Sequence, residues 1–140
     1  MATGFAKSHY LEQKILDGVL RNVAYAFPAA VYAALFTGLP TDVAGGGIEV
    51  NTAGTSYARQ AITFAPSANN GVNTGSTIQN SVAVTFPVAT ATYGSVAGIG
   101  VFDAAVGGNL LYYGALTALQ PVNTGDQAVF PVGDLLIGED

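Results

Sequence analysis

Val96-Ala97-Gly98-Ile99-Gly100-Val101-Phe102, then Asp103 to Asn109, then Leu110-Leu111-Tyr112-Tyr113-Gly114-Ala115-Leu116 is the stretch that decides the fold. Two apolar runs flank a loop carrying Gly107-Gly108-Asn109, residues that enter turn conformations at little cost. The pattern predicts a β-hairpin. Gly98 and Gly100 mark a bulge or the close approach of another backbone rather than a phosphate loop, because the third glycine of a dinucleotide fingerprint is missing and the pair lies inside a strand.

Outward from the hairpin the same alternation recurs in shorter pieces. Val31-Tyr32-Ala33-Ala34-Leu35-Phe36 reads as a buried strand, stopped by Gly38-Leu39-Pro40-Thr41-Asp42 and a loop through Gly45-Gly46-Gly47. Tyr57 to Phe64 reads as a half-buried strand with Ala58, Ile62 and Phe64 on one face and Arg59 on the other. Val82, Val84 and Phe86 alternate with Ala83 and Thr85 until Pro87 closes the run. Gln127 to Val132 and Asp134 to Ile137 give one or two last strands after the turn Asn123-Thr124-Gly125-Asp126, and Pro66 to Ser76 is a turn-rich loop. Six or seven short strands divided by Gly, Pro and Asn predict a mainly β chain, an antiparallel β-sandwich. No repeat is visible.

One segment has a helical period. From Ser8, a predicted N-cap, Leu11, Ile15, Val19 and Val23 recur every four residues with Leu16 and Leu20 beside them. Asp17 precedes Arg21 by one turn, and Gly18 costs about 1 kcal/mol relative to alanine, so packing must hold the helix. Pro28 and its neighbouring alanines end it. The expected organisation is one domain over residues 1–140, with an N-terminal helical arm at 1–27 and the sandwich at 28–140. Leu11, Ile15, Val19 and Val23 are expected to hold the helix against the sandwich or against a neighbouring copy.

Of the 140 residues, 50% are hydrophobic and only 9% charged, against a usual charged share of about 25%. A surface with so few lysines and carboxylates favours apolar contact with other copies or other proteins, and points to a homo-oligomer, with a trimer as one form. The net charge of −5 with four basic residues argues against nucleic acid as a partner. With no cysteine there is no thiol nucleophile, zinc-thiolate site or iron–sulfur cluster. Val23 to Phe36 is too short to span a bilayer and contains Pro28, so no membrane span is expected. Charges at Lys7, Glu12, Lys14 and Asp17 interrupt any secretory signal, which predicts synthesis in the cytoplasm.

Catalytic chemistry finds few groups to converge. His9 is the only histidine and sits at the helix start. The carboxylates are scattered, and the enzymatic alternative, a small glycan hydrolase, needs Asp103 and Asp126 to meet across a glycosidic bond. Both open turns, where aspartate ordinarily bonds the local backbone. Gly45-Gly46-Gly47 precedes neither Lys-Ser/Thr nor a helix, and no Asp-x-Asp ladder offers a calcium site, so no catalytic residue, cofactor or metal is assigned. Tyr112 and Tyr113, as strand neighbours, face opposite sides; the outward ring either stacks on a sugar or packs in a subunit contact. Arg59 belongs on a wet face or beside a carboxylate at an interface.

Tyr10-Leu11-Glu12, Val31 to Thr37 before a Pro-Thr-Asp turn, Ser56-Tyr57-Ala58-Arg59-Gln60-Ala61, Thr85-Phe86-Pro87-Val88-Ala89-Thr90, Gly100-Val101-Phe102-Asp103-Ala104 with Gly107 to Leu111, Gly114-Ala115-Leu116 and Asn123-Thr124-Gly125-Asp126 follow in order. Over nearly the whole chain this order resembles the small tailed-bacteriophage virion proteins commonly labelled tail fibre proteins. Tyr93-Gly94 departs from the pattern, which has tryptophan before that glycine. The resemblance implies a non-enzymatic structural component of a phage virion, bound to other virion proteins, with no catalytic residues to carry over. It leaves open a tail fibre or a capsid decoration protein. A receptor- or glycan-binding tip using Tyr112 or Tyr113 and loop residues Asn69 to Ser76 is the alternative.

Overall fold

The hairpin exists and is the spine of the molecule. In the computed structural model, which describes residues 4–43, 45–69 and 75–139, β8 (Gly94–Phe102) and β9 (Leu110–Val122) pair antiparallel. Strand β2 (Val31–Gly38) adds antiparallel to the free edge of β8, and β3 (Ile48–Glu49) and β4 (Gln60–Ile62) pair with β2 in turn. On the far edge β1 (Ala6–Lys7) pairs with β9, so the stretch expected to form a helical arm begins inside the main sheet. Helix α1 (His9–Arg21) follows directly. Two smaller antiparallel sheets complete the chain: β7 (Val84–Thr85) with β10 (Val129–Phe130), and β5 (Ala68–Asn69) and β11 (Leu136–Glu139) on either side of β6 (Ser76–Gln79).

The mainly β, antiparallel architecture with one N-terminal helix is therefore present. The described residues hold eleven strands: β2, β4, β7, β8, β9, β10 and β11 fall in the seven expected runs, β7 and β10 as two-residue pairings, whereas β1, β3, β5 and β6 were not expected. Short ladders such as β1, β3 and β5 are set by neighbours in space and are too short to show a period in the sequence. Residues 70–74 of the expected Pro66–Ser76 loop lie outside the described residues.

Register sorts the main sheet into two faces. Ala33 and Leu35 lie opposite Val101 and Ile99 and point into the core, while Ala34 and Phe36 lie opposite Gly100 and Gly98 on the outer face. The core fills the space between this sheet and the smaller ones, where Val84, Phe86, Phe130, Leu135 and Ile137 meet Leu35, Val96 and Ile99. Phe86 packs parallel to Tyr57 at 6.1 Å and edge-on to Phe130 at 6.2 Å. Gly98 and Gly100 are close-approach positions: a Cβ at Gly98 would lie 2.8 Å from the Gly114 carbonyl oxygen, and one at Gly100 2.9 Å from the Phe36 ring. The ladder also shifts here, since Val96 pairs with Gln120 but Gly98 with Ala115, so β9 bulges between them.

Tyr57 to Arg59 corrects the expected register. Tyr57 is buried and Ala58 exposed, the reverse of the alternation read from the sequence. The inversion follows from two polar anchors. The Tyr57 hydroxyl accepts from the Leu35 N–H at 3.0 Å and donates to Glu49 Oε1 at 2.8 Å, and burial followed by the Glu49 charge pushes its ionisation far above the usual tyrosine range. Arg59 is not on a wet face. Its side chain is 9% exposed, donates to both oxygens of Glu49 at 2.8 Å, lies 3.6 Å over the Phe102 ring, and bonds the Ala104 and Gly107 carbonyls at 3.0 and 2.7 Å. It pairs with a carboxylate, as one reading of the sequence allowed, but inside a single chain.

A second tie closes the sandwich at the chain ends. Lys7 in β1 pairs with Glu139 in β11, and Tyr112 in β9 donates to the other oxygen of Glu139 at 2.7 Å. Burial alone would raise the Glu139 pKa; the hydrogen bonds from Lys7 and Tyr112 and the Lys7 charge outweigh it and hold the carboxyl below its usual value.

Arg59→Ala leaves Glu49 part-buried without its counter-charge, and urea unfolding is expected to show a loss of about 3 kcal/mol; a loss within ~0.5 kcal/mol would mean the pair acts as an exposed one. For Glu139, a depressed folded-state pKa gives stability that is present above the unfolded value near 4.3 and lost as pH falls through the folded value. The stability difference between wild type and Glu139→Gln, followed by urea midpoints, should therefore be constant near neutrality and shrink below about pH 4.

Candidate functional site

Reactive side chains are drawn into local structure rather than gathered at one point. Asp103 Oδ1 accepts from the Asn109 N–H at 2.6 Å and its Oδ2 from the Asn109 side chain at 2.9 Å, closing the β8–β9 loop. Asp126 Oδ2 accepts from the Asn123 N–H at 2.9 Å in the next turn. These two turns lie at opposite ends of the hairpin, where Phe102 pairs with Leu110 and Gly94 with Val122. Eight residues of extended strand separate the ends by about 26 Å, so Asp103 and Asp126 do not form the dyad that the hydrolase alternative requires. His9 is exposed, with its backbone N–H donating to the Asp42 carbonyl at 2.9 Å and its ring 3.9 Å from Glu12. Among the described residues no three His, Asp or Glu side chains stand where they could hold one metal ion.

The adjacent tyrosines divide as expected. Tyr112 shares the inner face with Val101 and Lys7, and its hydroxyl is committed to Glu139; burial, then that carboxylate, raises its pKa. Tyr113 pairs with Gly100 and is the outward ring, half-buried near Asp42 and Glu12; burial first and these two charges second push its ionisation up. A cleft of about 480 Å³ beside the β9 bulge is lined by Leu116, Thr117, Asp126, Gln127, Phe130 and Asp134, away from both tyrosines. Of the loop from Asn69 to Ser76, residues 70–74 lie outside the described residues.

The arm presents the most distinctive surface. Ser8 caps α1 as read from the sequence: its Oγ accepts from the Leu11 N–H at 3.2 Å and donates to the Leu110 carbonyl, while its N–H donates to the Leu111 carbonyl at 2.8 Å. These bonds fasten the helix start to β9. The far end is different. Asn22 takes a left-handed conformation with φ of 54°, and its N–H and that of Val23 both turn back to the Asp17 carbonyl. The helix therefore ends at Arg21, earlier than the Pro28 boundary expected, and Val23 lies beyond it. Asn22 was the legible signal for that stop, since asparagine tolerates the left-handed cap.

Of the four residues expected to hold the helix, Leu11 is buried and Ile15 half-buried, but Val19 is 75% exposed and Val23 is also exposed. Leu20 at 75% and Phe27 at 82%, with Leu16, extend the apolar surface. Sequence periodicity could not separate these, because one stripe continues from the covered turn to the bare one. Behind the helix the chain doubles back: Tyr25 meets Tyr10 edge-on at 6.4 Å and Phe27 at 5.2 Å, and burial followed by Tyr10 and Asp103 raises the Tyr25 pKa. Asp17 and Arg21 pair at 2.8 Å along the flank. The arm is thus held at its root and along one side, with its outward face uncovered.

No helix among the described residues is long and apolar enough to cross a membrane. A search of curated proteins finds no match to this chain. A known family does match: the one described as Gp80, podophage GP4 fiber I protein gp80, across residues 6–138. The matched span opens at β1 and closes within β11, taking in the arm and all three sheets, in agreement with the ordered segments that resemble phage tail fibre proteins. By that near-complete match, the chain belongs to the Gp80 family of podophage fibre proteins.

Proposed function

We propose that this chain is a non-enzymatic architectural component of a podophage virion, a fibre module made in the host cytoplasm and joined to other virion proteins. The observation that carries this reading is the uncovered apolar arm on a well-anchored sandwich. Leu16, Val19 and Leu20 share one side of α1 and are exposed, as are Val23 and Phe27 beyond it, whereas the polar groups that could do chemistry are held in turns and ties. Single exposed apolar residues are ordinary; several along one side of a helix mark a contact surface. The family match supplies the setting, since a fibre subunit must bind neighbours permanently.

Placement on the tail fits this family better than decoration of the capsid, and copy number separates the two. Quantitative mass spectrometry of purified particles is expected to find the protein at on the order of ten copies per virion, the count that a tail of low rotational symmetry accommodates. Hundreds of copies would move it to the capsid shell, and absence from purified particles would overturn the virion reading altogether.

A further inference from the structure

We draw no further inference here: the strongest candidate, the apolar groove of about 380 Å³ walled by Val31, Val101 and Tyr112 of the main sheet and by Ile78 and Ile137 of the β5–β6–β11 sheet, carries none because nothing in the structure shows what covers it.

Discussion

Arg59 against Glu49 is the contact through which the separate parts of this molecule are made to agree. Glu49 stands on β3 and receives both Arg59 and the Tyr57 hydroxyl, which in turn takes the Leu35 N–H from β2. The same guanidinium covers Phe102 at the end of β8 and bonds two carbonyls of the loop that follows. Four segments distant in sequence are thereby fixed by one rigid, planar cation. Lysine could not substitute, because a point charge cannot engage a carboxylate on two atoms, stack on a ring and reach two carbonyls together. A part-buried pair of this kind gains less in net stability than its contacts imply, since both ions give up water. Its effect is to exclude other arrangements of the loops it joins.

The distribution of polar groups separates a cross-tied body from an arm with exposed apolar side chains. In the body, Asn80 is fully buried, donates to the Val82 and Pro131 carbonyls and accepts from the N–H groups of Gly133 and Leu135, so the chain between β10 and β11 is bracketed by one amide. Lys7, Tyr112 and Glu139 join the first strand to the last. On the arm, Ser8 and His9 bond Leu110, Leu111 and Asp42 of the body at the root, while the Asp17–Arg21 pair lies within the helix itself. Beyond that point apolar side chains face water.

The family and the fold class were legible because they rest on local signals. Alternation in Val96 to Phe102 and Leu110 to Leu116, the glycine loop between them, and the serine before a four-residue apolar period each act within a few residues of chain. Asp17 before Arg21 is equally local, and the two do pair. Tyr112 and Tyr113 had to face opposite sides on any strand, and they do.

What the tertiary structure alone decided are the features whose partners are far apart along the chain. Periodicity places Leu11, Ile15 and Val19 on one stripe, but only the Ser8 bonds to β9 determine that the first turn is covered and the later ones are bare. The inversion that puts Tyr57 inside and Ala58 outside needs Glu49 and Leu35 already in position. Strands β1, β3 and β5 are too short to carry a period of their own. The sequence by itself determined the helix, the longest strands and a composition poor in charge. Which apolar side chains are left exposed was decided by packing, because burial belongs to pairs of surfaces and not to single residues.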